Sequence, residues 1–397
     1  MRLAIVGYGN LGKACESIIC QNGLIENSSN FQLIGIFTRR NPQEVISPYG
    51  TPVYPLRDAE KFCGKIDVML LCVGSANDLI DAALPLAKHF NTVDCYDNHT
   101  HIPDYAEKLN AVALENGKTC IFSTGWDPGI FSLMRALFES VCNRGTTTTF
   151  WGRGVSQGHS EAIRKLKGVK YAIQYTVPKQ SALEMARAGK GEGLSARDKH
   201  LRECYVVPDK DADKRQIEMQ IKTMPDYFAP YDTTVHFIDE QEFLLNHKTM
   251  QHGGFVLRTS RQTDKECGNI ECSKNDFDNT KFSKVESLVS SAAPINDGKT
   301  PNNNVKAHPI KDVKANPIND VETLNSNVKM NPINDVKMEF SLNLQSNPHF
   351  TASVMIAYAK AVLKLHEEGK YGAYSVLDVP MSKLIDGEWL DKIKKYI

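Results

Sequence analysis

The fold is decided by residues 3–20, which read LAIVGYGNLGKACESIIC. Four apolar residues, typical of a buried strand, run into a glycine-rich turn at 7–12, and a helical pattern follows. In this context GxGxxG indicates a dinucleotide-binding loop. Gly7 permits the tight turn, Gly9 lets the backbone approach a pyrophosphate, and Gly12 permits close helix packing. The helix N-terminus then faces the phosphates. An ordinary glycine-rich turn is the less favoured alternative.

The alternation of apolar strands and helices continues up to residue 125. Strands are predicted at Leu3–Val6, Gln32–Phe37, Ile66–Val73, Thr92–Tyr96 and Thr119–Phe122, and helices at Lys13–Cys20, Ala76–Phe90 and Asp104–Asn116. Continuous apolar strands separated by helices predict a parallel sheet covered on both faces. The predicted fold class is therefore α/β, beginning with a Rossmann-type, doubly wound dinucleotide-binding domain.

A different pattern begins at Gly125 and indicates a second, α+β domain with a mixed, antiparallel sheet. Its predicted strands are Thr146–Trp151, Ala172–Val177, Glu203–Val207 and Thr233–Phe237, with a short helix at Ser160–Lys167. Near the end of the chain, Met338–Leu344 alternates like a strand and Phe350–His366 has helical spacing.

Composition excludes several classes of protein. The 397 residues carry 47 basic and 47 acidic side chains. The chain therefore lacks the net positive charge that favours binding to nucleic acid. Ten scattered cysteines without a CxxC pair are typical of reduced thiols; a metal site at Cys267 and Cys272 is a weak alternative, so no metal is predicted. The first residues lack a signal-peptide pattern, and no apolar run reaches the roughly 20 residues of a membrane span. We therefore expect a cytoplasmic protein without a membrane partner.

Residues 260–337 differ from the rest of the chain. These 78 residues contain 13 Asn and only two aromatic residues. Residues 294–316 align without gaps on residues 317–339, with 14 of 23 positions identical. Two copies with so few apolar residues cannot build the stacked core of a solenoid. We interpret the segment as a disordered, tandemly duplicated insertion; a tether for a partner is the alternative.

The second predicted strand indicates which dinucleotide binds. An NAD site usually places an acidic residue after this strand to accept from the ribose hydroxyls. Here the strand runs into Thr38, Arg39 and Arg40 instead. Guanidinium groups pair bidentately with phosphate, so NADP is favoured over NAD. A solvated basic pair at the end of a strand is the alternative.

Three further loops, at 72–75, 95–97 and 124–128, follow predicted parallel strands. The carboxyl ends of these strands should meet at the same sheet edge, so we expect the loops to line the cofactor crevice. The complete predicted cofactor-binding set is Gly7, Tyr8, Gly9, Asn10, Leu11, Gly12, Thr38, Arg39, Arg40, Cys72, Val73, Gly74, Ser75, Cys95, Tyr96, Asp97, Thr124, Gly125, Trp126, Asp127 and Pro128. Asp97 and Asp127 form a pair of carboxylates that suits a cationic amine, and they are the catalytic candidates. Alternatively, each caps a turn or a helix.

Several uncommon motifs occur in one order: WDPG at 126–129, FWGRGVSQGH at 150–159, KTMPDYF at 222–228 and HGG at 252–254. Together with GYGNLG and FTRR near the N-terminus, they resemble the meso-diaminopimelate D-dehydrogenase family. The resemblance covers residues 1–259 and 338–380. Dihydrodipicolinate reductase-like enzymes and non-catalytic NADP-binding regulators are the alternatives.

The resemblance implies a reversible, NADP-dependent oxidative deamination that serves lysine and cell-wall precursor synthesis. The D-centre of meso-2,6-diaminopimelate would give L-2-amino-6-oxopimelate and ammonium, with Asp97 and Asp127 holding the reacting amine. By the same resemblance, we expect a homodimer. The implied substrate-binding residues are Asp97, Asp127, Trp151, Gln157, Gly158, Thr176, Arg202, His252 and Asn347.

The resemblance has two small departures and one large one. Glu161 stands where the family commonly has Asp, and Gln251 stands where Pro is common. The large departure is the insertion, which replaces a short hairpin loop. We therefore predict three regions. Residues 1–124 and 372–397 form the NADP-binding domain, 125–259 and 338–371 form the substrate-binding and dimerisation domain, and 260–337 form the insertion.

Overall fold

A computed structural model describes residues 1–21, 31–74, 78–142, 144–225, 227–247, 251–260 and 336–397. Ser75 and nearly all of the predicted insertion lie outside the described residues. The strands are β1 (Arg2–Val6), β2 (Gln32–Thr38), β3 (Val53–Pro55), β4 (Val68–Leu71), β5 (Asn91–Asp94), β6 (Thr119–Ile121), β7 (Thr146–Trp151), β8 (Gly154–Val155), β9 (Val169–Pro178), β10 (His200–Pro208), β11 (Asp232–Phe237), β12 (His252–Ser260), β13 (Val336–Leu344) and β14 (Gly372–Tyr374).

The helices alternate with these strands, and short 3₁₀ turns lie at Pro42–Glu44, Leu56–Phe62 and Val376–Asp378. The α-helices are α1 (Asn10–Cys20), α2 (Asp78–Ala87), α3 (Ile102–Glu115), α4 (Ile130–Val141), α5 (Gln157–Arg164), α6 (Gln180–Arg187), α7 (Ala196–Lys199), α8 (Lys214–Thr223), α9 (Glu240–Asn246), α10 (Asn347–Glu367), α11 (Met381–Leu384) and α12 (Trp389–Tyr396). No helix in the described ranges is long and apolar enough to cross a membrane.

A seven-stranded parallel sheet forms the first layer, in the order β14-β6-β5-β4-β1-β2-β3. Strand β1 sends Leu3 and Ile5 to the face covered by α1 and α10, and Ala4 and Val6 to the face covered by α2 and α3. Both faces are buried, which explains the continuous apolar run in the sequence. The Rossmann-type α/β fold is confirmed, and the strand order reverses between β1 and β4, where such folds bind ligands.

Two smaller sheets form the α+β part of the molecule. One has the order β11-β10-β9-β8 and is mixed, since β10 runs parallel to β11 and antiparallel to β9. The other has the order β13-β12-β7 and is antiparallel. Strands β12 and β13 form a hairpin on either side of the insertion, and their pairing extends to Ser260 and Val336. These two residues had been assigned to the insertion.

Helix α10 does not pack in the domain to which the predicted boundaries assign it. Residues 338–371 were assigned to the substrate-binding domain, but α10 packs against α1 and against strands β4, β5 and β6 of the parallel sheet. Its long apolar stripe, including Met355, Ala359 and Val362, is fully buried there. The helix therefore covers the parallel sheet, while Asn347 at its first position reaches the crevice at the strand ends.

Candidate active site

The glycine-rich loop between β1 and α1 has the geometry that its sequence predicts. Gly7 has φ +90°, and a Cβ there would lie 2.8 Å from the carbonyl oxygen of Cys72. A Cβ on Gly12 would lie 2.2 Å from the carbonyl oxygen of Gly7, so α1 can approach the loop only because Gly12 has no side chain. A Cβ on Gly9 would meet nothing within 4 Å, so this side of the loop is open. The open loop, backed by a helix N-terminus, fits a pyrophosphate.

Two adjoining cavities share Gly9, Cys72, Val73 and Gly74, and form a groove across the carboxyl ends of the parallel strands. The first, of about 280 Å³, is lined by Val6, Gly7, Tyr8, Gly9, Phe37, Thr38, Arg39, Arg40, Leu56, Cys72, Val73 and Gly74. The second, of about 340 Å³, is lined by Gly9, Asn10, Leu11, Cys72, Val73, Gly74, Cys95, Asp97, Gly125, Trp126, Asp127, Pro128, Asn347, Pro348 and Thr351. The groove thus brings most of the predicted cofactor residues together.

Two predicted cofactor residues lie beneath the groove. The buried ring of Tyr96 packs against Tyr105 with centroids 4.9 Å apart. The buried hydroxyl of Thr124 donates to the carbonyl of Asp94 over 2.8 Å. Neither side chain lines the two cavities, since the Tyr96 ring is packed inside the fold and the Thr124 hydroxyl is used there in a hydrogen bond.

The basic pair at the end of β2 is already engaged. Arg39 forms an ion pair with Asp78, the first residue of α2, at 2.6 Å. Arg40 donates from Nη2 to the carbonyl oxygen of Tyr8 over 2.9 Å. Both guanidinium groups remain beside the first cavity, and Arg39 is largely exposed. An exposed ion pair contributes little to stability, so Arg39 can exchange its partner for a phosphate at low cost.

At the other end of the groove, Asp127 is held from two sides. Its side chain is 1% exposed, and one oxygen accepts from Arg135 at 2.6 Å. The other oxygen accepts from the indole nitrogen of Trp151 at 2.5 Å. Asp97 lines the same cavity and is exposed to solvent. Arg135 was missed by the sequence interpretation because helix α4, which carries it back over Asp127, was not predicted.

A second missed residue, Asp94, ties together the loops that carry the two candidate carboxylates. It is fully buried at the end of β5 and accepts hydrogen bonds from Tyr105 Oη at 2.6 Å, the Tyr96 amide at 2.9 Å and the Ser123 amide at 3.1 Å. Burial raises the pKa of Asp94 to about 6, although these hydrogen bonds lower it. Loss of this carboxylate would therefore loosen the segments on both sides of the cavity.

The predicted distal end of the substrate site lies on the mixed sheet. Arg202 and Thr176 face each other across β10 and β9, and Arg202 donates from Nη1 to the Thr176 hydroxyl. The ring of Tyr231, which the sequence interpretation missed, lies 3.8 Å from the guanidinium carbon. Burial lowers the pKa of Arg202, which is 6% exposed, but a guanidinium stays protonated. No carboxylate pairs with it among the described residues.

His252 links the two ends of the site. Its ring packs 4.5 Å from Trp126, and its Nδ1 accepts from the Gly253 amide at 2.8 Å. Burial lowers the pKa of His252 to about 4; the charge of Arg202 also lowers it, whereas Asp127 raises it. The ring is therefore neutral near pH 7 and lies within electrostatic reach of both charges. A Cβ on Gly154 would collide with it, so this glycine lets the ring approach β8.

Trp151 is fixed by a second neutral imidazole. Its amide donates to His200 Nε2 over 2.9 Å, and the two rings stack at 5.4 Å. Burial lowers the pKa of His200 to about 3, and nearby Arg202 and Lys199 lower it further. His200 thereby holds the indole that donates to Asp127. Gln157 and Gly158 begin helix α5, and the Asn347 side chain accepts from Thr351 at 3.2 Å.

The glycine loop lies where the strand order reverses, and the groove has cations at one end and carboxylates at the other. A sheet domain lies beyond the groove. Together these features define a dinucleotide-dependent oxidoreductase. Residues 125–275 match the family model of the diaminopimelic acid dehydrogenase C-terminal domain. Meso-diaminopimelate D-dehydrogenase of Ureibacillus thermosphaericus is 41% identical over 384 residues, which cover 97% of this chain and 95% of the relative.

Solved structures agree with this match. The DAP dehydrogenase of Corynebacterium glutamicum in complex with DAP has a TM-score of 0.76 at 34% identity, covering 100% of this chain and 99% of that one. An engineered D-amino acid dehydrogenase bound to NADP⁺ has a TM-score of 0.73 at 33% identity, with the same coverage. The chain belongs to the meso-diaminopimelate D-dehydrogenase family, which confirms the prediction made from its motifs.

Proposed function

We propose that this protein catalyses the reversible, NADP-dependent oxidative deamination of the D-centre of meso-2,6-diaminopimelate. The products are L-2-amino-6-oxopimelate and ammonium. The observation that carries the proposal is a site with two chemically different ends. Asp97 and Asp127 line the groove. On the mixed sheet, Arg202 is buried beside Thr176 and pairs with no carboxylate of the described residues. A substrate with an amine to react and a distal carboxylate to anchor is complementary to both ends.

NADP is proposed over NAD because Arg39 and Arg40 line the cavity at the end of β2, and the described residues that line it include no acidic side chain. Asp78, which pairs with Arg39, is not one of these lining residues. Gly7, Gly9 and Gly12 would hold the pyrophosphate, and Cys95, Trp126 and Pro128 would lie beside the nicotinamide half. When bound, the cofactor supplies a hydride acceptor. The NADP⁺ complex of the engineered relative supports the same choice.

In the proposed reaction, Asp127 holds the reacting ammonium and Asp97 accepts its proton. Asp127 suits the first role because Arg135 and Trp151 fix both of its oxygens in a buried position. Asp97 is solvent-exposed, so a proton that it accepts, directly or through water, can leave the site. Loss of a hydride and one proton converts the substrate C–N bond to an iminium. Water then adds to the carbon, and the C–N bond breaks with release of ammonium.

Arg202 and Thr176 would hold the distal carboxylate with donors from both side chains, and His252 and Asn347 would line the space between the ends. Fixing the distal L-centre determines which carbon, and which hydrogen on it, faces the cofactor. This is how the site would choose between two amino-acid ends that differ only in configuration.

The experiment that tests the function is NADP⁺ reduction with pure meso-, LL- and DD-diaminopimelate. We expect rapid turnover of the meso isomer and at least about 100-fold lower kcat/KM for the LL isomer, because a misplaced α-carbon loses the proximity effect. Equal rates on all three isomers, or no turnover of the meso isomer, would reject the proposal. NADP⁺ binding without any turnover would instead favour the regulator.

The homodimer and the assignment of residues 125–259 to a substrate-binding and dimerisation domain remain predictions. In the second segment of that assignment, 338–371, helix α10 packs against the parallel sheet instead. Light scattering should give a mass near twice the 44.3 kDa of the chain. A mass equal to that of one chain would contradict the dimer.

A further inference from the structure

The side chain of Gln174 is a buried polar group near Thr176, and none of the roles described above involves it. It lies on β9, is 0% exposed, and shares a sheet face with Thr176. Its backbone is fixed to the start of α5, since its amide donates to Ser160 Oγ over 2.9 Å and its carbonyl accepts from the Ser156 amide over 3.0 Å. Beyond it on the same face lies the apolar cluster that includes Ala172 and Cys204. Gln174 therefore stands between an apolar core and the polar pair of Thr176 and Arg202.

The contacts of Gln174 determine what the Thr176 hydroxyl can do. Thr176 Oγ1 accepts from Arg202 Nη1 and, at 3.4 Å, from Gln174 Nε2. A hydroxyl oxygen has two acceptor lone pairs, and these two donors use both. The hydroxyl hydrogen is then left to donate, and it makes no hydrogen bond within the described part of the chain. The hydrogen is directed away from both donors and is available to a ligand.

Two buried polar atoms in the same cluster are also without partners. Gln174 Oε1 and Arg202 Nε make no hydrogen bond within the described ranges. Buried polar atoms are rarely left unpaired, and exceptions point to a ligand or a functional role. The cluster of Gln174, Thr176 and Arg202 thus has an unused donor at Arg202 Nε, an unused acceptor at Gln174 Oε1 and a net positive charge.

We propose that Gln174 is a positioning residue that determines specificity for the distal carboxylate. By donating to Thr176 Oγ1, it makes the Thr176 hydroxyl a donor, so that a carboxylate receives hydrogen bonds from Thr176 and Arg202 together. This inference rests on the proposed function, because it assigns the occupant of this cluster as the anchored end of the substrate. It adds Gln174, which contacts Thr176, to the determinants of that end.

The test compares Gln174→Glu with Gln174→Met. The Glu variant has the same shape but replaces the donor with an acceptor, which reverses the Thr176 hydroxyl and offsets the charge of Arg202. We expect KM for meso-diaminopimelate to rise about 30-fold or more in Gln174→Glu and about 5-fold in Gln174→Met, since hydrogen bonds to charged groups are the stronger ones. In both variants, kcat should stay within about threefold, because the reacting end is unchanged.

The matched control is Tyr175→Phe, on the opposite face of the same strand, where the phenol hydrogen-bonds with His247. Its KM should stay within about twofold of the parent value. NADP⁺ affinity should be unchanged in all three variants, which also verifies that they fold. A purely structural role predicts instead that both Gln174 variants lose kcat and thermal stability together. That result, or a KM within about twofold in Gln174→Glu, would overturn the proposal.

Calorimetric binding of pimelate, a seven-carbon dicarboxylate, separates this inference from the proposed function. Binding of pimelate requires the carboxylate clamp but no turnover. If the parent protein binds pimelate but oxidises no diaminopimelate isomer, the proposed function fails, while the Gln174 inference is still decided by the Kd values. Weaker pimelate binding in Gln174→Glu than in Gln174→Met supports it, and equal binding in parent and variants rejects it.

Discussion

Replacing Arg135 with Met tests whether Asp127 is held by a buried ion pair. The Asp127 side chain is 1% exposed and that of Arg135 is 28% exposed, so water reaches only the cation. Breaking a fully buried pair costs about 3–5 kcal/mol, and an exposed pair costs about 0–1 kcal/mol. For this intermediate geometry we expect Arg135→Met to lower the free energy of unfolding by about 2–3 kcal/mol.

The assay is urea denaturation of a double-mutant cycle with Asp127→Asn, which removes the charge but keeps an acceptor for Trp151. In the Asp127→Asn background, Arg135→Met should cost less than about 1 kcal/mol, giving a coupling energy of about 2 kcal/mol. The matched control is Arg197→Met, which breaks the exposed pair with Asp232 and should cost less than about 1 kcal/mol. A coupling energy below about 0.5 kcal/mol would show that no buried ion pair with Arg135 holds Asp127.

Three further predictions concern the cofactor, the anchor and the buried aspartate. Arg39→Ala combined with Arg40→Ala should weaken NADP⁺ binding by about 100-fold and NAD⁺ binding by less than about threefold in titrations; an unchanged ratio would place the phosphate elsewhere. Arg202→Met should raise KM for meso-diaminopimelate by about 100-fold with little change in kcat, whereas the exposed Arg153→Met should not; normal saturation in Arg202→Met would contradict the clamp. Because the pKa of Asp94 is raised to about 6 in the fold, its protonation stabilises the protein below about pH 4, and this contribution of about 3 kcal/mol is lost as the pH rises through 6. Asp94→Asn should remove that loss when the free energy of unfolding is measured between pH 4 and 7. The same pH dependence in the variant and the parent protein would exclude Asp94 as its source.

The parallel sheet could be predicted from the sequence because its strands are short, continuous apolar runs that leave a direct signal. Strand β3 was missed because Val53–Pro55 is three residues long at the sheet edge and contains a proline. The helix α10 pattern was recognised, but its partner surface was not, because an apolar stripe does not specify which sheet it covers.

In the candidate site, too, some residues could be predicted from the sequence and others could not. Asp97 and Asp127 could be found because each follows a predicted parallel strand, and parallel strands bring their carboxyl ends together. Arg135 and Tyr231 could not be found, because their roles depend on how separate elements fold back onto Asp127 and Arg202. A single arginine in a strand carries no local signal for ligand binding, so only the family resemblance indicated the role of Arg202.

The proposed orientation of the substrate can be measured by following the transfer of deuterium from meso-2,6-diaminopimelate labelled at one α-carbon. The proposed binding mode places the D-centre at Asp97 and Asp127 and the L-centre at Thr176 and Arg202. It therefore predicts that deuterium at the D-carbon appears in NADPH by mass spectrometry, and that deuterium at the L-carbon remains in the amino-oxopimelate product. Transfer from the L-carbon, or from both carbons, would exclude this orientation of the substrate.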